Sequence, residues 1–263
     1  MKITSNGIAI HVKEQGGGDL SLVFLHYYGG SSRTWMHVVA ALAARFHTVA
    51  VDHRGWGKSD APTAGYGLAD LAADAEGVIA ALKLQRYVLV GHSMGGKVAQ
   101  LMASRRPVGL AGLILMAPAP PPPMVMPAHT REMLAGACAS RDAVEAAIDT
   151  VLTAKKLSAA DRMQVIEDSL RGAPPAKIAW PRSTNLEDIA EQVGNINVPT
   201  LVIAGELDRV EPPVRLRVEM LPRIPQAVMH VLPGTGHLSM LESPDTVAAL
   251  IANFCQGLRR VGA

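Results

Sequence analysis

Aromatic residues, cysteines and a surplus of charge of either sign are all scarce in this chain of 263 residues. Lys and Arg number 25 against 23 Asp and Glu, so the formal net charge is only +2. Nucleic-acid and polyanion binders usually carry a basic stripe, so the near-balance predicts no nucleic-acid partner. The hydrophobic fraction of 49% excludes a disordered tail and is sufficient for a large core.

The sequence also has few features that would indicate export, a membrane or a bound metal. Its two cysteines, Cys138 and Cys255, make no C-x-x-C pair and form no disulfide framework, which suits a reducing compartment. Residues 1–7 lack the apolar run of a signal peptide. No stretch approaches the roughly 20 apolar residues that a membrane-spanning helix needs. We therefore expect a cytoplasmic protein with no membrane partner, no metal and no other cofactor.

Short β-rich runs alternate with longer Ala- and Leu-rich stretches of helical period. This alternation is typical of a mostly parallel central sheet flanked by helices, and we predict an α/β fold of that kind. The predicted strands are residues 8–12, 20–25, 47–51, 87–90, 113–116, 198–204 and 227–232. The predicted helices of the sheet domain are residues 31–45, 68–82, 94–105 and 244–258.

The alternation is interrupted by a run of prolines within residues 118–123. Proline is excluded from helix interiors and central strands, so the run favours an extended linker. From there to about Trp180 the pattern is helical. We predict one core domain, residues 1–117 and 186–263, with a helical insertion at residues 118–185. Two independent domains are the less favoured alternative, because the strands on both sides of the insertion share one pattern.

A serine flanked by glycines occurs where an apolar run meets a helical stretch, in residues 91–95, Gly-His-Ser-Met-Gly. This G-x-S-x-G pattern places Ser93 on a sharp strand-to-helix turn with its hydroxyl clear of the sheet. Side chains at Gly91 and Gly95 would collide, so both positions require glycine. The turn also directs the N–H of Met94, at a helix N-terminus, towards a developing oxyanion. The pattern predicts a nucleophilic serine.

Two other interpretations of this segment are open. Residues 91–97 also read G-x-x-x-x-G-K, which is the start of a phosphate-binding loop. That loop needs Ser or Thr next, to hold magnesium, and the chain has Val98 there. The missing hydroxyl disfavours the phosphate loop. The second alternative is a glycine-rich turn whose serine has no chemical role.

A serine nucleophile needs a base and an orienting carboxylate, which follow it in the order Ser, Asp or Glu, His. Asp208 follows the sixth predicted strand, and His237 follows the seventh. Because the carboxyl ends of parallel strands share one edge of a sheet, these residues can meet Ser93. We predict that His237 takes the Ser93 proton and that Asp208 holds the imidazole in the required tautomer.

Other residues compete for these two roles. Glu206 and Glu211 flank Asp208 and are either the acid or solvated loop charges. The strand before the prolines ends without a carboxylate, so the acid does not come from there. His92 precedes the nucleophile, and we expect it to point elsewhere.

These motifs, taken together, resemble the α/β-hydrolase superfamily over essentially the whole chain. The matching pieces are residues 26–31 (His-Tyr-Tyr-Gly-Gly-Ser), 52–60, 91–96, 205–208 and 236–237. In this family the first loop has the sequence His-Gly-x-Gly-Gly, and the residue at x contributes its N–H to the oxyanion hole. The resemblance implies that Tyr28 does so here, together with Met94. Tyr27 stands where the family has glycine, and its phenol is expected to constrain the loop or to form part of the pocket wall.

The resemblance also carries an expected activity. With serine at position 93, the chain resembles the esterase, lactonase, thioesterase and carbon–carbon hydrolase branches of the family. Haloalkane dehalogenases and soluble epoxide hydrolases have Asp at the corresponding position. The helical insertion resembles the family's cap, and Trp180, its only aromatic residue, is a candidate for substrate contact or for packing. We expect a serine hydrolase that cleaves small carboxylic esters through an acyl-enzyme. Alternatives are a lactone, thioester or carbon–carbon substrate, acyl transfer, or a ligand-binding receptor on the same scaffold.

Overall fold

The computed structural model describes residues 1–260 of the chain, with side chains through Leu258. The strands are β1 Lys2–Ser5, β2 Ile8–Gln15, β3 Ser21–Leu25, β4 His47–Val51, β5 Tyr87–His92, β6 Leu110–Met116, β7 Thr200–Gly205 and β8 Ala227–Leu232. The helices are α1 Met36–Leu42, α2 Leu68–Ala81, α3 Met94–Ser104, α4 Ala128–Gly136, α5 Arg141–Ala147, α6 Ala159–Arg171, α7 Pro174–Arg182, α8 Pro213–Glu219, α9 Ser239–Glu242 and α10 Pro244–Arg260. None of the helices within residues 1–260 is long and apolar enough to cross a membrane.

The eight strands form one sheet in the order β1-β2-β4-β3-β5-β6-β7-β8. The pairs β1/β2 and β2/β4 are antiparallel. Every other neighbouring pair, from β4/β3 to β7/β8, is parallel. The predicted mostly parallel sheet is therefore confirmed.

Strand β3 shows how both faces of the sheet are buried, since all five of its residues are buried. Side chains alternate between the faces of a strand, so Val23 and Leu25 pack on one face while Leu22 and Phe24 pack on the other. The neighbouring helices α2 and α3 cover the first face, and α1 and α10 cover the second. An unbroken apolar run in the sequence corresponds to a central strand between two helical layers.

The N-terminal edge of the sheet was not predicted. Strand β1 pairs with β2 through a hairpin whose turn residues, Asn6 and Gly7, have φ values of 49° and 80°. Positive φ at both positions is the type I′ turn that Asn-Gly favours. The hairpin adds an antiparallel edge to the sheet.

The insertion, which was predicted at residues 118–185, contains α4 to α7 and lies between β6 and β7 in the chain. The chain segments that enter and leave it run side by side, because the N–H of Met124 donates to the carbonyl of Asn185 at 2.9 Å. Lys97 of α3 joins both segments, since its Nζ donates to the carbonyl oxygens of Pro122 at 3.0 Å and Asn185 at 3.4 Å. Burial lowers the pKa of Lys97 to about 8. The division of the chain into a core domain, residues 1–117 and 186–263, and a helical insertion stays a prediction.

Candidate active site

Ser93 lies between β5 and α3 with φ 52° and ψ −113°, a combination that L-residues rarely adopt. The turn is tight because of its glycines. A Cβ on Gly91 would lie 2.4 Å from the carbonyl oxygen of Gly95, and one on Gly95 would lie 2.5 Å from a main-chain oxygen of β3. Both distances are shorter than any real contact, so the predicted need for glycine at these positions is confirmed.

The main chain of Ser93 is tied to the end of β6. Its N–H donates to the carbonyl of Met116 at 3.1 Å, and its own carbonyl accepts from the N–H of Ala119 at 3.0 Å. The next residue, Met94, begins α3, where the first N–H groups of a helix have no partner within the helix. The Met94 amide is therefore available to a ligand beside the Ser93 hydroxyl.

His237 and Asp208 meet as the sequence predicted. The imidazole Nδ1 lies 2.8 Å from Asp208 Oδ2, and both side chains are buried. Because a carboxylate accepts, Nδ1 carries the proton, which leaves Nε2 for proton transfer. The other carboxylate oxygen accepts from the N–H groups of Val210 and Glu211 at 2.8 and 2.9 Å. Burial alone would raise the pKa of Asp208, but His237 and the two amides outweigh it and hold that pKa below its usual value.

The two glutamates beside Asp208 do not contact His237. Glu206 is exposed and accepts from the N–H of Gly234 at 2.8 Å. Glu211 is fully buried, so its interpretation as a solvated loop charge is wrong. The turn closed by Asp208 draws this residue inward, where neither carboxylate oxygen has a hydrogen-bond partner among the described residues. Burial, only partly offset by Arg215, raises the pKa of Glu211 to about 8.

His92 contributes more than the sequence predicted. Its Nε2 lies 3.0 Å from the main-chain carbonyl of His237, and a carbonyl can only accept, so His92 donates there. The two rings lie 4.7 Å apart between centroids. Burial and the neighbouring His237 hold the pKa of His92 well below its ordinary value, so the ring is neutral. His92 thus supports the backbone that carries His237.

The loop after β3 forms a tight turn. The carbonyl of Tyr27 accepts from the N–H of Gly30 at 3.0 Å and from Nδ1 of His26 at 2.7 Å. Gly29 has φ +96°, the positive value that the third residue of a type II turn requires. A peptide unit is planar and trans, so fixing the Tyr27 carbonyl also fixes the N–H of Tyr28 in the opposite direction.

The side chains of the two tyrosines lie in different surroundings. The hydroxyl of Tyr28 donates to the carbonyl of Lys177 in α7 at 2.8 Å, and its ring packs edge-on against Trp56. The ring of Tyr27 lies 5.1 Å from that of His92, and its buried hydroxyl has no hydrogen-bond partner among the described residues. Burial raises the pKa of both phenols, so both hydroxyls are neutral.

Helix α6 of the insertion contacts this loop through two consecutive side chains. The hydroxyl of Ser169 donates to the carbonyl of Gly29 at 3.0 Å. The carboxylate of Asp168 accepts from Ser31 Oγ at 2.8 Å and from Arg33 Nη1 at 3.2 Å. Burial raises the pKa of Asp168 to about 6, although Ser31 and Arg33 oppose the shift. These contacts were not predicted, because neither Asp168 nor Ser169 belongs to a recognisable motif.

A cavity of about 590 Å³ joins these parts. Ser93, His237, Tyr27, Tyr28 and Trp180 all line it, so the structure places these predicted site residues around one space. The insertion supplies most of the remaining wall, which is apolar and includes Met124, Met126, Leu134, Val144 and Val151. Asp208, which contacts His237 through Nδ1, and Met94 are not part of the lining.

The profile of the alpha/beta hydrolase family matches residues 22–250 of the chain. This match agrees with the fold and the site described above. The chain is a member of that family.

Among its relatives is the AB hydrolase superfamily protein YisY of Bacillus subtilis, which is 28% identical over 95% of this chain and 97% of its own length. The 2-(acetamidomethylene)succinate hydrolase of Mesorhizobium japonicum is also 28% identical, over 94% of this chain and 91% of its own. Among solved structures, an esterase from Exiguobacterium antarcticum superposes with a TM-score of 0.89 at 24% identity, covering 97% of this chain and 98% of that one. That structural likeness shows the fold.

Proposed function

We propose that this protein is a serine hydrolase that cleaves carboxylic esters through an acyl-enzyme. The observation that carries the proposal is the hydrogen bond of 2.8 Å between His237 and Asp208, beside a strained Ser93 that lines the same cavity as the imidazole. A nucleophile, a base and an orienting carboxylate in that order are what acyl transfer requires.

In the proposed reaction, Ser93 Oγ attacks the ester carbonyl and its proton passes to Nε2 of His237. The imidazolium that forms is stabilised by the Asp208 carboxylate, which is ionised because its pKa is lowered. His237 then gives the proton to the leaving alcohol, and the acyl group remains on Ser93. A water molecule, deprotonated by the same imidazole, releases the acid and restores the serine.

The negative charge on the carbonyl oxygen needs fixed donors, and we assign these to the amides of Met94 and Tyr28. The Met94 N–H is at the start of a helix, and the Tyr28 N–H has its direction set by the bonds to the Tyr27 carbonyl. Fixed donors of this kind stabilise the transition state because they need no reorganisation when charge develops.

We further propose that the helical insertion acts as a cap over the cavity and selects the substrate. Its apolar wall favours an apolar substrate chain, because burying a charged group against that wall would cost several kcal/mol, whereas Arg209 and Arg215 line the cavity from the core. Trp180, which is 4% exposed, would form part of that wall, and Tyr27 would close the opposite side. The partner is thus a small molecule.

The test is an assay of p-nitrophenyl esters of graded acyl length with the native protein, Ser93→Ala, Asp208→Asn and Glu206→Gln. We expect turnover by the native protein and a fall in kcat of about 10³-fold or more for Ser93→Ala. Asp208→Asn should also lose most of its activity, whereas Glu206→Gln, the matched change of an exposed carboxylate two residues away, should keep it. Equal rates for Ser93→Ala and the native protein would refute the proposal.

The same cavity and residues are compatible with lactones, thioesters, carbon–carbon bonds or transfer to an alcohol. A panel at matched enzyme concentration therefore adds a lactone, a thioester, an acceptor alcohol and 2-(acetamidomethylene)succinate, the compound in the name of one relative. We expect the ester arm to be fastest. Tight binding of a ligand with no turnover in any arm would instead indicate a receptor.

A further inference from the structure

The loop that carries the Tyr28 amide contains two glycines that make its backbone flexible, and it is bound by residues outside the loop. Two consecutive glycines, Gly29 and Gly30, follow Tyr28, and glycine moves readily between positive and negative φ. The bonds from His26 and Gly30 fix the carbonyl of Tyr27, at the start of the turn. The carbonyl of Gly29, in the second half of the turn, accepts instead from a group outside the loop.

Ser169 is one such group. Its side chain is 3% exposed, and its hydroxyl donates to the carbonyl of Gly29 at 3.0 Å. A Cβ on Gly29 would lie only 3.1 Å from the same hydroxyl oxygen, so the backbone of the loop lies directly against α6. The contact holds the peptide that follows Gly29 and opposes a change of the positive φ at that residue.

Asp168 is a second such group, and it binds the end of the loop, where the N–H of Ser32 also donates to the carboxylate of Asp52. Ser31 Oγ accepts from the N–H of Arg33 at 3.0 Å and so begins the short helix that follows the loop. The same hydroxyl donates its proton to Asp168 at 2.8 Å, which leaves a lone pair directed at Arg33. Asp168 also accepts from the Arg33 guanidinium, and it is 2% exposed.

The hydroxyl of Tyr28 itself donates to the Lys177 carbonyl of α7, so the residue that presents the amide is anchored in the insertion as well. Three successive parts of the loop, at Tyr28, Gly29 and Ser31, therefore each have a hydrogen bond to the insertion. If the insertion only enclosed the substrate, it would need apolar contacts with the pocket and no hydrogen bonds to this loop.

We propose that Asp168 and Ser169 are positioning residues for the oxyanion hole, which hold residues 26–31 so that the Tyr28 amide faces the carbonyl attacked by Ser93. The inference rests on the proposed function and deepens it. Docking of the insertion and assembly of the oxyanion hole are then a single event, so the enzyme is fully active only when its pocket is covered.

The test compares Ser169→Ala and Asp168→Asn with two control variants. Glu167→Gln removes the neighbouring carboxylate, which is exposed and also accepts from Arg33 but does not touch the loop. His37→Gln replaces the imidazole that lies 2.7 Å from Asp161, another contact between the core and α6. For each variant, kcat and KM are measured on p-nitrophenyl butyrate, with the dissociation constant of butylboronic acid and the Tm. The boronic acid forms a tetrahedral adduct with a serine and probes the oxyanion hole.

We expect kcat of Ser169→Ala and Asp168→Asn to fall about 10- to 100-fold, with KM within about threefold of the native value. Affinity for butylboronic acid should fall by a similar factor, and both controls should behave like the native protein. Native kcat and boronic acid affinity in Ser169→Ala would overturn the inference, and so would a rise in KM with unchanged kcat. Ser93→Ala, measured in parallel, separates the two proposals: if it stays inactive in either case, the proposed function stands and only the positioning role fails.

Discussion

The buried pair of Arg54 and Asp74 offers a quantitative test of how the core holds the loops around the cavity. Arg54 follows β4, and its Nε and Nη2 donate to the two carboxylate oxygens of Asp74 in α2, each at 2.6 Å. The two side chains are 5% and 1% exposed. The next residue, Gly55, accepts from the N–H of Ala173 at 2.8 Å, so this pair anchors a loop on which the insertion rests.

Asp74→Asn leaves the guanidinium buried without its hydrogen-bonded counter-charge. Removing one partner of a buried ion pair costs about 3–5 kcal/mol of the free energy of unfolding. For a chain of this size each kcal/mol corresponds to a Tm change of ~2–4 °C, so the Tm should fall by roughly 10 °C. The measurement is urea unfolding followed by circular dichroism, together with a thermal melt.

The control lies on the same helix. Glu76 accepts from Arg105 at 2.7 Å, and these side chains are 33% and 40% exposed. Exposed pairs contribute about 1 kcal/mol or less, so Glu76→Gln should be close to native. Replacing both buried partners, Arg54→Met with Asp74→Leu, should recover most of the loss because no charge remains unpaired. A difference of less than about 1 kcal/mol between Asp74→Asn and Glu76→Gln would refute the reasoning.

Three further predictions concern the serine turn, the pocket and a buried carboxyl group. Gly95→Ala should prevent native folding or abolish activity, because its Cβ would lie within 2.6 Å of two main-chain oxygens, whereas Gly194→Ala, with open space around it, should be near native in expression and Tm. Trp180→Ala should shift the acyl-length profile of kcat/KM towards longer esters, and an unchanged profile, like that expected of the exposed Ile178→Ala on the same helix, would contradict its place in the wall. Glu211 has a pKa of about 8 in the folded protein against an ordinary 4.5, so the native state binds more protons than the unfolded state between these values and its stability falls as pH rises. Glu211→Gln should flatten that slope in urea unfolding from pH 5 to 8, and parallel slopes would count against the assignment.

The strands could be predicted well where local pattern and tertiary environment agree. Residues 47–51 and 227–232 form β4 and β8 with the predicted bounds, because each is a short β-rich run bounded by breaks in the pattern. Strand β1 was missed because four residues carry too little periodicity, although the Asn-Gly turn beside it was a usable signal. Helix α8, of seven residues, was not predicted either.

Within the candidate site, too, the residues in local motifs could be predicted, whereas those that depend on tertiary packing could not. The turn at Ser93 and the meeting of Asp208 with His237 follow from motifs placed at strand ends, which a sequence records directly. Glu211 was misjudged because a polar loop predicts solvation, and only the packed structure shows the residue buried. Asp168 and Ser169 lie on an ordinary helix, and their contact with the first loop depends on how the insertion docks, which local sequence does not encode.

The position of Lys97 has a consequence for how proteins with this architecture diversify. Its ammonium group donates to the carbonyls of Pro122 and Asn185, so the two ends of the insertion are joined at one point. This point lies one helical turn beyond Ser93. For a loop whose ends are already joined, each doubling of length costs only about 0.6 kcal/mol in closure entropy. The segment between the joined ends can therefore be lengthened, shortened or exchanged with little effect on the sheet. Under the proposed function, the substrate range can then change separately from the chemistry. A replacement segment must, however, contain residues that make the same contacts with the first loop as Asp168 and Ser169. At these two positions a new insertion has to fit the existing candidate active site.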